Sequence, residues 1–292
     1  MFRSMTNRLP LALIAAALPF AAVTYAQVAQ PNPATAAPAT HQRVIRLEGG
    51  QNFRDLGGYR TSDGRSVKWN VLYRSGAMND LTLRDYEALR ARGIRTVCDF
   101  RDTRERAAAP VKWPANAKPT IFADDYEMDS NFRALMEPGL TGEQAATVMA
   151  AGYRDMPFRF AGQYKRMFAQ LAAGNAPLAF NCSAGKDRTG IAAALLLTAL
   201  GVPYATVTQD YLLSNQYFKP RQMKADAQTA AFMKRISPDA FKAMMGVDKR
   251  YLDAAFEAIR SRPGGLDGYY RNDLGMDDAM KKALRARYLE RA

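Results

Sequence analysis

"NCSAGKDRTG" occupies Asn181–Gly190 and holds one of the two cysteines in a chain of 292 residues. Just before it, "APLAFNC" (Ala176–Cys182) is a short apolar run that reads as a strand. Just after it, "GIAAALLLTALG" (Gly190–Gly201) is apolar on every side, as a buried helix should be. The stretch is therefore a tight loop between a buried strand and a buried helix. In open α/β folds ligands bind beyond the carboxyl ends of strands, and helix N-termini favour anions. Gly185 permits a backbone turn that other residues resist, so successive N–H groups can face inward as a nest for an oxyanion.

The side chains suit the same ligand. The helix dipole, the inward amides and Arg188 favour the thiolate of Cys182. Arg188 offers a planar fork for two phosphate oxygens. Thr189 is placed to hydrogen-bond the thiolate or the departing thiol, and Ser183, Ala184, Gly185 and Lys186 complete the cradle. Cys182 reads as a nucleophile facing a bound phosphate, which implies a cysteinyl-phosphate intermediate. A Walker-type phosphate loop is excluded, because Lys186 is followed by Asp187 and not by Ser or Thr.

Composition narrows the chemistry further. The only histidine, His41, lies in "QVAQPNPATAAPATHQ" (Gln27–Gln42), a Pro/Ala/Thr-rich stretch without periodicity that reads as a flexible linker. A His-based metal site, a Ser-His-Asp triad and a Cys-His pair all need a histidine in the folded body. No CxxC pair is present, so neither a metal nor a cofactor is expected. Residues 1–26 carry Arg3 and Arg8, then an uncharged run from Leu9 to Val23, then small residues at Thr24 and Ala26. That is the pattern of a signal peptide cleaved after Ala26, and it directs the protein to the periplasm or outside the cell. The apolar run is shorter than the roughly 20 residues a spanning helix needs.

The chain has 41 Lys+Arg against 28 Asp+Glu, a formal charge of +13. Loss of residues 1–26 removes two arginines and no acid, taking +13 to +11. Such a surplus favours anionic partners, namely phosphorylated proteins or small phosphate esters, acidic lipid surfaces or nucleic acid, and charge alone does not choose among them. Nucleic acid is not expected as a partner.

Residues 43–292 show no repeat and no second linker, and are expected to form one domain. "VLYRSG" (Val71–Gly76) reads as a strand entering a loop, "LTLRDYEALRARG" (Leu81–Gly93) as a helix with a glycine stop, and "IRTVCDF" (Ile94–Phe100) as a buried strand. Asp129–Pro157, interrupted by "EPGLTGEQ", reads as two short helices with a turn. Phe160, Tyr164, Phe168 and Leu171 share one face of the next helix. From Val202 to the end the pattern is helical. The alternation predicts an α/β fold with a central, mostly parallel sheet flanked by helices.

The loop also resembles the signature of cysteine-dependent protein tyrosine phosphatases. More narrowly, it is similar to bacterial tyrosine/phosphoinositide phosphatases whose loop reads H-C-x-A-G-K-D-R-T. "NFRDLGGY" (Asn52–Tyr59), "LYRSG" (Leu72–Gly76), "DFR" (Asp99–Arg101), "DYLLSN" (Asp210–Asn215) and the tail "GVDKRYLDAAFEAI…GLDGYYRNDLG" fall where that family carries such motifs. The resemblance covers most of residues 44–290. It implies a phosphatase fold with a helical lid, for which about 129–157 is the candidate. It also implies substrates among phosphotyrosine, phosphoserine/threonine and phosphoinositides. One departure stands out: Asn181 replaces the histidine that braces the loop, and Asn cannot carry charge.

A leaving alkoxide or phenoxide needs a proton. Asp187 is the first choice of acid, since the resembling family carries an aspartate there, and Asp99 is its rival. Lys186 is a candidate for a second phosphate, and Arg54 and Asp55 for bracing the loop. A phosphate-binding pseudophosphatase and a sulfurtransferase using the same loop are the alternatives. Cys98 sits near the carboxyl end of a strand and Cys182 ends another, so a reversible Cys98–Cys182 disulfide is a further expectation if the two strands are neighbours.

Overall fold

The computed structural model describes residues 41–128, 135, 139–219 and 236–291. The expected signal peptide and most of the linker lie outside these residues. Strand β1 (Arg54–Asp55) is followed by β2 (Arg65–Val67), β3 (Leu72–Ser75), helix α1 (Leu83–Ala91), β4 (Thr96–Asp99), α2 (Thr103–Ala108) and β5 (Thr120–Ala123). Helices α3 (Gly142–Arg159) and α4 (Ala161–Ala172) lead to β6 (Leu178–Asn181), α5 (Arg188–Leu200), α6 (Tyr204–Leu212) and α7 (Ser214–Tyr217). Then come α8 (Pro238–Met245), α9 (Lys249–Arg260), α10 (Gly265–Asn272), α11 (Asp278–Tyr288) and β7 (Leu289–Arg291).

Five strands form the central sheet in the order β1-β3-β6-β4-β5. β1 runs antiparallel to β3, and the other pairings are parallel. The fold is α/β, with helices flanking a mixed sheet. β6 is the middle strand, and all four of its residues are buried. That burial is why Leu178–Phe180 reads as a continuous apolar run and not as an alternation. α5 is buried along nearly its whole length, in line with its apolar circumference. Tyr164, Phe168 and Leu171 of α4 are fully buried on one stripe, each stabilising the core by roughly 1.5–3 kcal/mol.

Two expectations bear on the helical parts of the chain. Of the two short helices expected within 129–157, the first falls almost wholly outside the described residues, and the second is present but longer than expected. α3 is a single helix from Gly142, opened by a capping box between Thr141 and Gln144 and continuing past Pro157. Proline lacks only the N–H that would have reached the Tyr153 carbonyl, so one rung is lost and the helix goes on. Its Ala145, Ala146, Met149, Tyr153 and Met156 are buried, and it packs on α8 and α9. Residues 129–134 and 136–138 of the lid candidate lie outside the described residues. The chain is also not helical to its end, because β7 pairs antiparallel with β2.

Candidate active site

Cys182 follows β6 directly and is 1% exposed. The loop after it turns its carbonyls outward. The Ala77 N–H donates to the Ser183 carbonyl at 2.9 Å. Asn52 Nδ2 donates to the carbonyls of Ala184 at 3.2 Å and Gly185 at 3.0 Å. Arg74 Nη2 donates to the Gly185 carbonyl at 2.9 Å. Among the described residues, no N–H of Ser183 to Asp187 donates to a protein acceptor. With the carbonyls held outward, these amides are left for an anion. Gly185 has φ +68°, and a Cβ there would sit 2.4 Å from backbone atoms of Ser75 and Gly76. Only glycine fits that approach.

The groups that hold the carbonyls come from the outlying motifs. Arg74 Nη1 pairs with Asp210 Oδ2 at 2.6 Å, and Arg54 Nε lies 3.7 Å from Asp210 Oδ1, all three side chains being almost wholly buried. Arg54 also reaches Asn52 Oδ1 and, weakly, the Ser214 hydroxyl. Two guanidiniums thus share one carboxylate beneath the loop, a buried positive surplus that favours an anion above it. Burial and the neighbouring Arg74 lower the Arg54 pKa to about 10. Asp55 does not join this brace. Its carboxylate accepts from the N–H groups of Gly57 and Asn70, shaping the turn after β1.

Arg188 opens α5 and is held end-on by Glu105. Nη1 meets Oε2 and Nη2 meets Oε1, each at 2.7 Å. Nη1 also donates to the Phe100 carbonyl at 2.9 Å and the Tyr126 hydroxyl at 2.7 Å. The Nε–H and the second Nη2 hydrogen have no protein acceptor among the described residues, so the side edge of the guanidinium is the fork left for phosphate. Burial opposes the charge on Arg188, but Glu105 and the sulfur of Cys182 raise its pKa well above the usual value. Burial likewise opposes the Glu105 carboxylate, and Arg188 with Ser183 still brings it down to about 2. The Ser183 hydroxyl donates to Glu105 Oε1 at 2.5 Å. Thr189 Oγ1 is buried without a hydrogen-bond partner among the described residues.

Asp187 sits at the N-cap of α5, yet its side chain makes no cap bond. Its Oδ1 accepts from the Tyr153 hydroxyl at 2.5 Å and from Lys186 Nζ at 2.9 Å. The N-terminal amides of α5 therefore keep no side-chain cap and face the loop. Lys186 is 4% exposed, and its ammonium also donates to the carbonyls of Met244 at 3.0 Å and Gly246 at 3.2 Å. Its three donors have three acceptors, so Lys186 is a strut between the loop and the α8–α9 turn, not a free cation awaiting a second phosphate. Asp99 pairs with Arg101 at 2.8 Å and accepts from Asn181 Nδ2 at 3.0 Å. The rival acid is thus engaged in fixing residue 181, and Asn181 supplies a neutral donor where the resembling family has histidine.

Cys98 and Cys182 are free and buried. Their strands are neighbours, but Cys98 is in register with Phe180, two residues short of Cys182. Spacings of about 4.8 Å across and 3.3 Å along strands place the Cα atoms roughly 8 Å apart. A disulfide reaches about 7 Å. The expected switch is not supported, and burial pushes the Cys98 thiol up to about 12.

Glu105, Tyr126 and Tyr153 were not singled out from the sequence. Glu105 had a partial signal. "DTRE" (Asp102–Glu105) is a capping-box pattern, and Glu105 does close the box, with the Asp102 N–H donating to its Oε2 at 2.8 Å. That pattern marks a helix start and says nothing of Arg188.

A cysteine and an arginine on a strand–loop–helix turn, with an inward amide nest and a clamped guanidinium, define a cysteine-dependent phosphatase. Residues 45–290 match the model of the tyrosine phosphatase family. A Cupriavidus necator protein carrying a tyrosine-protein phosphatase name is 36% identical over 242 residues, which is 82% of this chain and 85% of that protein. The triple specificity protein phosphatase PtpB of Mycobacterium tuberculosis is 30% identical over 275 residues, 83% of this chain and 98% of that protein. The solved structure of P. aeruginosa TpbA aligns at 16% identity over 68% of this chain and 97% of its own, with a TM-score of 0.30. The chain belongs to the tyrosine phosphatase family.

Proposed function

We propose that this phosphatase hydrolyses phosphate monoesters through a phosphocysteine on Cys182, with phosphotyrosine as its first substrate class and phosphoserine/threonine and phosphoinositides as further ones. The observation that carries the reading is the edge of Arg188 left open beside Cys182 while Glu105 occupies its other edge. The amide nest and Arg188 bind the phosphoryl oxygens. The sulfur of Cys182 bonds to phosphorus as the ester P–O bond breaks, and the leaving oxygen takes a proton from Asp187. Water then attacks phosphorus, its proton passes to the Asp187 carboxylate, and the S–P bond breaks to release inorganic phosphate.

The name of the PtpB relative supports breadth of substrate. The engagement of Lys186 by Met244 and Gly246 counts against a role for it in phosphoinositide binding unless those bonds break. The reading also places the protein in the periplasm or outside the cell, on the strength of residues 1–26. That part is tested by the mass of the N-terminal peptide of the protein recovered from the periplasm or medium, which should begin at Gln27.

A panel of phosphotyrosine and phosphoserine peptides and phosphoinositide vesicles, run with wild type and Cys182→Ser, tests the function. Turnover should vanish in the variant and persist in EDTA. Acid quenching during turnover should trap one phosphoryl group on the Cys182 peptide. Full activity in the serine variant overturns the mechanism.

A further inference from the structure

We propose that Tyr153, backed by Tyr211, is a positioning residue for Asp187, fixing which of its two oxygens carries the proton given to the leaving group. This rests on the reading of Asp187 as the acid.

The geometry is a short chain of hydroxyls behind the loop. Tyr211 donates to the Tyr153 oxygen at 2.8 Å, and Tyr153 donates to Asp187 Oδ1 at 2.5 Å. Both tyrosines are fully buried, Tyr153 on α3 and Tyr211 on α6, with their rings edge to face. The donor order is forced. An ionised carboxylate only accepts, so Tyr153 must give its proton to Asp187, and its oxygen is then free to accept from Tyr211. Burial, with the Asp187 charge beside it, holds the Tyr153 hydroxyl well above its ordinary pKa, so it stays a donor throughout turnover.

Lys186 Nζ donates to the same oxygen. Oδ1 thus carries two donors, and a proton placed on it would face both. Oδ2 has no partner among the described residues, so the acid form of Asp187 carries its proton there, with Oδ1 as its carbonyl oxygen. The same two bonds persist when the proton has left, and Asp187 keeps one orientation through both halves of the reaction. This also accounts for the missing side-chain cap on α5: the carboxylate is turned to Tyr153 and Lys186 and away from the helix amides.

A tyrosine that merely satisfies a buried carboxylate would affect all substrates alike. A tyrosine that orients the acid affects only substrates that need one. The test measures kcat/KM for aryl phosphates running from good to poor leaving groups, with Tyr153→Phe, Asp187→Asn and the double variant. Tyr153→Phe keeps the ring and its packing. It should cost about tenfold with the poorest leaving groups and less than about twofold with the best, as a part of the 10²–10⁴-fold typical of a general acid. In the Asp187→Asn background it should add no selectivity. Equal loss across the series, or selectivity that survives in the Asp187→Asn background, overturns the proposal. Asp187→Asn without any selectivity of its own overturns the acid assignment itself, and its arm separates that failure from a failure of Tyr153 alone. If Tyr153→Phe does not fold, Tyr211→Phe carries the same test with a smaller selective loss.

Discussion

Glu105 and Arg188 meet end to end, carboxylate to guanidinium, through two parallel bonds of 2.7 Å. Glu105 belongs to the cap of α2 and Arg188 to the first turn of α5, so one ion pair ties the orientation of the phosphate-binding fork to a helix that carries no other site residue. Removing Glu105 leaves the fork held through Nη1 alone, by the Phe100 carbonyl and the Tyr126 hydroxyl.

Glu105→Gln should therefore lower kcat/KM without abolishing it. A hydrogen bond to a charged group contributes roughly 1.5–3 kcal/mol, which corresponds to a loss of about 10- to 100-fold. The fall should be larger for Glu105→Ala, which also opens the capping box. Steady-state rates with a phosphotyrosine peptide check it, and unchanged rates would remove Glu105 from the site.

The same pair makes a pH signature. Burial opposes the Glu105 carboxylate, and its bonds from Arg188 and Ser183 prevail, bringing the pKa from 4.5 to about 2. A lowered carboxylate stabilises the fold fully above its ordinary value and loses that contribution as pH falls through the folded value. The Tm advantage of wild type over Glu105→Gln should hold at neutral pH and shrink between about 4.5 and about 2. Thermal melts across that range decide it, and a constant difference would contradict the pairing.

Gly185→Ala should cost both stability and activity. A left-handed φ costs an L-residue roughly 1–2 kcal/mol, and the added Cβ would stand 2.4 Å from the Ser75 and Gly76 backbone. The loop must move to admit it, taking the amide nest with it. Denaturant melts and phosphate-analogue binding measure the two effects, and a variant that binds and melts like wild type would contradict the geometry.

Asn181→His should move the alkylation of Cys182 to lower pH. Asn181 Nδ2 donates to Asp99 Oδ1 at 3.0 Å, and an imidazole in that place would carry its charge against Asp99, one residue before Cys182. Iodoacetamide labelling against pH reads it directly. A profile unmoved or moved upward would show that residue 181 braces the loop without tuning its sulfur.

Cys98→Ala should leave the response to mild peroxide unchanged. Cys98 lies beside Phe180, out of reach of Cys182. Intact mass after oxidation should show no loss of two hydrogens in wild type. Such a loss, absent from Cys98→Ala, would mean that the loop moves far more than its braces allow.

The loop between β6 and α5 was legible because its neighbours are buried on all sides and read as unbroken apolar runs. A nucleophile, an arginine and a positive-φ glycine at fixed spacing then carry local information that needs no tertiary context. What lay hidden depends on residues far apart in the chain. Asn52, Arg74 and Asp210 converge on one loop, and no periodicity in any of their segments says so. Lys186 read as a phosphate ligand because its acceptors are backbone carbonyls of Met244 and Gly246, which leave no mark in the side-chain pattern. Tyr153 looked like one more apolar position of a helix, which it also is.

The pairing of β2 with β7 joins residues 65–67 to residues 289–291. A contact spanning more than two hundred positions closes late, because the intervening chain must be made before its ends can meet. Until then β2 is paired on one side only, through the bonds between Val67 and residues 58–59, and its other edge stays open for Leu289–Arg291.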